Sequence, residues 1–180
     1  MVIPYLQDHL KRRHLEQERY HVWIDDENEV ATFALWNLSG QMVGYQQYRP
    51  YGSKSAKNCR EDGKYYTYIS EGQIGVFGVE TLCYKPELLF VCEGVFDICR
   101  VHNLGFPGIA TLTNDPQHLR SWLKATGRKV IVIPDDDEAG KKLLSIGSYA
   151  INLSAYFTGV KEGSRDLGRL TTQQVEYLLK

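Results

Sequence analysis

"VIVIPDDDEAGKK", residues 130–142, runs from a β-branched apolar segment into four consecutive acidic side chains, Asp135 to Glu138, and then into a glycine and two lysines. A short unbroken apolar run of this kind reads as a strand buried on both faces. The same rhythm recurs around it. "LLFVC" leads into a helix over "EGVFDICRVHNLG"; "GIATL" leads into "NDPQHLRSWLKATG", where Asp115 suits a helix cap and Pro116 the first turn. "KVIVI" leads into "EAGKKLLSIGSYA", and "AINLS" reads as a fourth strand. Strands alternating with helices predict an α/β fold, a mostly parallel sheet with helices on both faces. In such sheets the working site lies outside the carboxyl ends of the strands. Glu93 stands at the end of the first strand, and Asp135 and Asp137 at the end of the third.

Carboxylates converging at adjacent strand ends push one another's pKa values up unless a cation neutralises them. Oxygen ligands with no Cys or His beside them select a hard ion, Mg²⁺ or Mn²⁺, over zinc. In the Asp-x-Asp step, Asp135 and Asp137 can share an ion while Asp136 turns to solvent, and Gly140 lets the next helix approach closely. A second reading stays open: acidic residues before a helix are also favourable charge at its positive end, with Asp137 as the cap.

The 180 residues, 43% of them hydrophobic, suffice for one main core and a smaller lobe. The formal charge is −1, so neither a strongly basic nucleic-acid binder nor an acidic disordered chain is indicated overall. Locally, however, residues 41–70 carry five Lys/Arg against two Asp/Glu, and residues 87–138 five against eight. Two lobes of opposite sign follow. Cys59, Cys83, Cys92 and Cys99 form no CxxC pair and lack histidines at zinc spacing, which predicts reduced thiols. The N-terminus lacks the apolar core of a signal peptide, and no stretch approaches the roughly 18 apolar residues of a membrane span. A soluble protein with no membrane partner is expected. Before residue 85 the pattern is antiparallel. A charged helix over 5–20 carries Leu6, Leu10 and Leu15; Trp23 enters the acidic turn "DDENE"; "VATFALWNL" and "MVGYQQYR" are strands joined at Ser39-Gly40. "YYTYIS" and "IGVFGVE" read as further short strands or turns. The glycines of "EGQIGVFGVE" match neither a dinucleotide fingerprint nor a P-loop.

The segment "LLFVCEGVFDICRVHNLGF", followed some 40 residues later by "VIVIPDDDEAGKK", resembles the Toprim domain of primases, topoisomerases and some nucleases. The EGxxD and D-x-D-x-A-G forms are most similar to those of bacterial and phage replicative primases. The segment "FALWNLSGQMVGYQQYRP" with "YYTYISEGQIGVFGVETL" is similar to the basic lobe preceding Toprim in those proteins. The resemblance implies a small mixed α+β, antiparallel basic lobe over 1–84, a Toprim domain over 85–168 and a C-terminal helix over 169–180, the last opened by a Thr171/Gln174 capping box. It makes Glu93 the family's glutamate, acting as general acid/base or metal-assisting, and Asp135 and Asp137 its metal-binding aspartates. Asp97 falls on the second acidic position of the first motif, and Glu162 or Asp166 could supply a further acidic motif.

The activity this implies is metal-dependent nucleotidyl transfer by a DNA primase-like core, making RNA primers from ribonucleoside triphosphates on a single-stranded DNA template, with two Mg²⁺ or Mn²⁺ ions and no zinc. The template is expected against Arg49, Lys54, Lys57, Arg60 and Lys64. Tyr45, Tyr48, Tyr51, Tyr65, Tyr66 and Tyr68 are interleaved with them, which suits a single strand or simply fills the face of a hairpin. No zinc-ribbon ligand set lies upstream and no motor domain follows, so the chain reads as a core without its usual attachments: a fragment, a minimal phage or plasmid primase, or a relative recruited to other work. A separate helicase or zinc-module protein would then supply the missing functions, in the cytoplasm of a bacterium or phage-infected host. A Toprim-type metal-dependent nuclease and a non-catalytic protein that binds nucleic acid or a replication partner are the alternatives.

Overall fold

The computed structural model describes residues 5–56, 58–113, 115–135, 138–153 and 166–179, with backbone only at 138 and 139. They belong to two compact units, Met1–Phe77 and Gly78–Lys180.

The first unit opens with α1 (Tyr5–Arg12), whose Leu6 and Leu10 are buried. The sequence reading carries this helix to Tyr20; the structure ends it at Arg12. His14 adopts a left-handed φ of 65°, its N–H donates to the Lys11 carbonyl (2.9 Å), and the Leu15 N–H donates to the Leu10 carbonyl (3.1 Å). This is a Schellman cap, and it explains why Leu15 is buried after the helix has stopped: it closes over Leu10. A four-stranded antiparallel meander follows, β1 (Val22–Asp25), β2 (Val30–Trp36), β3 (Met42–Tyr48) and β4 (Tyr65–Ile69), in that spatial order. Trp23 therefore lies in an edge strand rather than in the acidic turn. The turn comes after it, where both carboxylate oxygens of Asp25 accept from Asn28, at 3.0 and 2.8 Å. Phe33, Leu35 and Tyr48 face one side and are buried, and α1 joins that side through a hydrogen bond between His9 Nε2 and Tyr48 Oη (2.9 Å).

The second unit starts before the boundary read at 84/85. Val79–Cys83 is a 3-10 turn, and in "IGVFGVE" Val76, still within the first unit, makes a β-bridge to Trp36. The buried Thr81 hydroxyl accepts from the Gly108 N–H (3.1 Å) and donates to the Gly78 carbonyl (2.8 Å), tying the turn to the parallel sheet. That sheet contains β5 (Leu88–Cys92), β6 (Gly108–Ala110), β7 (Lys129–Val132) and β8 (Tyr149–Ala150), in the order β6-β5-β7-β8, with every pairing parallel. The last strand begins one residue before the expected "AINLS" and shares Ala150 with it. Between strands lie α2 (Val95–Asn103), α3 (Arg120–Ala125) and α4 (Glu138–Leu143), and α5 (Thr172–Leu179) follows. Asp115 caps the turn before α3 by accepting from the Gln117 N–H, with Pro116 in its first position. Thr171 and Gln174 make the capping box of α5, at 2.8 and 3.2 Å. From β5 the chain crosses one way, to β6; from β7 it crosses the other way, to β8. Right-handed crossovers then put α2 on one face and α3 and α4 on the opposite face. The switch point is the pair β5/β7.

One packing contact positions the loop after β7. A Cβ at Gly140 of α4 would stand 1.8 Å from the Asp135 carbonyl oxygen and 2.9 Å from its nitrogen. Only glycine lets α4 sit this close. Gly140→Ala is expected to cost about 1–3 kcal/mol, the scale of overpacking, measured by urea denaturation, and to displace Asp135 with it.

His9 supports a second expectation. Tyr48 Oη, hydrogen-bonded to His9, also accepts from Arg13 Nη1 (3.3 Å), so a cation sits beside the imidazole. Burial first, then the positive charges of Arg13, Arg12 and Lys64, hold the His9 pKa below its usual value of 6.5. A histidine with a lowered folded pKa binds its proton more readily when unfolded, so stability falls as pH drops below about 6.5. His9→Gln, which cannot titrate, should lose less stability than the wild type between pH 7.5 and 5.5 in paired urea titrations.

Candidate functional site

β5 delivers Glu93 and β7 delivers Asp135 to the carboxyl edge of the parallel sheet. Ladder hydrogen bonds continue past both strands: the Ile133 N–H donates to the Val91 carbonyl (2.9 Å), the Thr111 N–H to Cys92 (3.0 Å) and the Leu112 N–H to Glu93 (3.0 Å). The backbone of Glu93 is therefore pinned, and extending the β5/β7 register by two residues sets it opposite Pro134, next to Asp135. Glu93, Asp97 and Asp135 are each half-buried. Adjacent strands lie about 4.8 Å apart, so the crevice at the switch point is lined with carboxylates.

Asp97 sits in the first turn of α2, and the C-terminal segment brings Asp166 to it. A Cβ at Gly168 would meet Asp166 Oδ1 at 3.1 Å and Asp97 Oδ1 at 3.6 Å, so one point in space touches both carboxylates. Arg100 holds that segment in place. Its guanidinium, only 6% exposed, donates to the carbonyls of Gly168 (3.0 Å) and Leu170. Burial lowers its pKa, while Asp97 and Asp166 favour its charge. Asp166 also meets Arg169 at 3.7 Å. Sequence reasoning missed Arg100, because a lone arginine in an apolar helix reads as a solvated residue until its carbonyl partners, some 70 positions away, are known.

The fully buried Cys92 reports on the same crevice. Burial pushes its thiol well above the usual range, and Asp97 and Asp135 push it further. Those two carboxylates thus lie within electrostatic reach of one sulfur. A thiol this averse to ionisation makes a poor zinc ligand, and the oxygens around it suit a hard divalent ion. Thr111 adds a hydroxyl at the end of β6 that is 3% exposed and has no hydrogen-bond partner among the described residues. Among those residues no group of three His, Cys, Asp or Glu is placed to hold a metal ion. Asp137 and Glu162 lie outside them, as does Asp136.

The expected nucleic-acid residues belong to the first unit. Lys64, just before β4, has its Nζ 6.0 Å from the centroid of the Tyr48 ring, and Arg13 Cζ lies 5.6 Å from the same centroid. Burial lowers the Lys64 pKa, and Lys54 and Arg13 lower it further. With Arg12 of α1 within electrostatic reach of His9, cations from the helix and the hairpin gather near one tyrosine. "HLKRRH" carried that signal in the sequence, as a run of like charges at a helix end. The Arg49 N–H donates to the Lys64 carbonyl (3.0 Å), and Arg49 also lines a cleft of about 240 Å³ with Glu29, Glu61 and Asp62. Arg60 is exposed in the β3–β4 loop, and Lys57 lies outside the described residues. The tyrosines divide by face. Tyr65 lies tilted against Tyr48 (5.2 Å) on the cationic side, whereas Tyr45 packs with Tyr68 (5.5 Å) and Tyr66 (6.2 Å) on the other.

No family profile and no curated protein sequence matches the chain. Solved structures do. A DnaG catalytic core superposes with a TM-score of 0.62 at 16% identity, over 96% of this chain and 71% of the other. The primase fragment of the bacteriophage T7 primase-helicase gives 0.61 at 13% identity, over 90% of this chain and 66% of that one. A DnaG primase catalytic domain bound to single-stranded DNA gives 0.53 at 16% identity, over 81% and 60%. The chain thus spans between about three fifths and seven tenths of the length of these neighbours. It has the fold that DnaG-type primase catalytic cores share.

Proposed function

We propose that the chain is a primase-like nucleotidyltransferase core that joins ribonucleotides on a single-stranded DNA template. The observation that carries this is a fold like that of primase cores in which Glu93 and Asp135 follow adjacent parallel strands, with Asp97 within electrostatic reach of the same buried Cys92 as Asp135 and with Asp166 beside Asp97. Mg²⁺ or Mn²⁺, bound there, would lower the pKa of an attacking 3′-hydroxyl and neutralise charge growing on the phosphate and the leaving pyrophosphate. Asp135, with Asp137, would hold the ions, and Asp97 and Asp166 would supply further carboxylate oxygens. Glu93, pinned by the Leu112 N–H, serves either as acid/base or as a ligand. Arg100 keeps Asp166 beside Asp97 through the backbone of the segment that follows. The Tyr48-centred cations, Lys54, Lys64 and Arg13, would hold phosphates of the template. The nearest support for that partner is the neighbour whose structure contains single-stranded DNA. A helicase partner is proposed on the T7 primase-helicase likeness alone.

Incubation with single-stranded DNA, labelled ribonucleotides and Mg²⁺ or Mn²⁺ is expected to yield oligoribonucleotides. Glu93→Gln should lower the rate by ~10²–10⁴, the contribution of a positioned acid–base group; rescue at saturating Mn²⁺ would reassign Glu93 as a ligand. Asp135→Asn should abolish incorporation while leaving the urea midpoint near that of the wild type. Shortened DNA in place of new oligomers would make the protein a nuclease, and neither product would leave a binding role.

The cation cluster gives a separate expectation. Replacing Lys54 and Lys64 together with alanine should weaken single-stranded DNA binding and flatten its dependence on salt, because each lost phosphate contact releases fewer counterions. Fluorescence anisotropy across a salt series measures both.

A further inference from the structure

The antiparallel sheet has a second face, opposite α1. Cross-strand register puts Trp23, Thr32, Gln47 and Tyr66 in one row on that face, and Tyr45 and Tyr68 in the next. Trp23 is 52% exposed and Tyr68 47%, on the two edge strands β1 and β4, about 14 Å apart across three strand spacings. Between the edge strands lie Tyr45, whose ring packs against Tyr68 (5.5 Å) and Tyr66 (6.2 Å) of β4, and a Gln47 whose Oε1 has no hydrogen-bond partner among the described residues. Large rings are costly to leave in water, and an edge strand carrying an open tryptophan invites a partner.

We infer that this face binds single-stranded nucleic acid by stacking bases on Trp23 and Tyr68, with Tyr45 on the floor between them and Tyr66 beside Tyr68. Two features favour that occupant over a protein. The exposed surface is built from planar rings with hydroxyl or N–H edges and an amide, the groups that stack on bases and bond to their edges. It also continues around edge strand β4 into the cation cluster. Lys64 precedes β4, Tyr65 turns to the cationic side, and Tyr66 and Tyr68 turn to the aromatic side. A strand whose phosphates meet Lys54 and Lys64 therefore has rings for its bases on the far side of the same edge. The inference rests on the single-strand reading of the proposed function.

Stacking and charge leave different marks on binding, which makes the test specific. Trp23→Ala with Tyr68→Ala should weaken binding of a thymidine oligonucleotide by roughly tenfold or more, the scale of one or two lost base–ring stacks, with the salt slope unchanged. Trp23→Phe with Tyr68→Phe, which keeps the rings, should restore most of the affinity. In the wild type, oligonucleotide should quench emission from the exposed indole, and Trp23→Phe should remove that quenching. Thermal melting of each variant checks folding, and the phenylalanine pair keeps the test valid if the alanine pair is unstable. Affinity within twofold of wild type in the alanine pair, alongside weakened binding in the Lys54/Lys64 variant, would overturn this face while leaving the single-strand reading intact. Absence of binding by the wild type would overturn both. A dimer in sedimentation that Trp23→Ala dissolves would make the face a contact between copies, and would overturn the inference too.

Discussion

Strand β5 pairs in parallel with β6 on one side and β7 on the other, and the rest of the second unit depends on that double pairing. A strand so enclosed has no face or edge left for water, which is why it consists of Leu, Phe, Val and Cys. Its only polar outlet is its carboxyl end. The connections leave β5 and β7 in opposite directions, so no helix crosses over the crevice between their ends, and Glu93 and Asp135 occupy it. Charge that the apolar ladder cannot accommodate collects where the ladder stops.

Keeping that charge in place requires close contacts rather than bulk burial. Gly140 admits α4 against the Asp135 backbone, and the Leu112 N–H pins the Glu93 carbonyl. Arg100 brings the C-terminal segment, and Asp166 with it, to the first turn of α2. A buried guanidinium is costly unless its donors are satisfied. Two backbone carbonyls satisfy donors here, and two carboxylates favour the charge, so Arg100 is both a clamp and the local counterion of an acidic crevice.

The first unit applies the opposite logic. Helix α1 and the β3–β4 hairpin draw Arg13 and Lys64 towards one tyrosine, with Lys54 within electrostatic reach of Lys64, and burial together with this like charge lowers the pKa values of His9 and Lys64. A fold that concentrates like charge in this way gains from any polyanion that binds to it. On the reverse of the same hairpin the side chains are rings and amides rather than charges, because period-2 alternation sends Tyr65 one way and Tyr66 and Tyr68 the other. One edge strand thus presents two different chemistries, separated by the thickness of a sheet.

The sequence by itself determined the parallel sheet, its strand-helix rhythm, the capping of α5 by Thr171 and Gln174, and the placement of Glu93 and Asp135 at strand ends. Those features are local: apolar runs, caps and turn residues act within a few positions of one another. The end of α1 at Arg12 and the edge strand at Trp23 were not legible, because a left-handed histidine cap and a strand beside an acidic turn are decided by what packs on them. Nor could sequence bring Asp97 to Asp166 or divide the tyrosines between two faces. Each of these depends on pairing register or on contacts between residues far apart in the chain, which only the tertiary structure sets, since side-chain direction in a sheet and proximity across a crossover are properties of the assembled backbone.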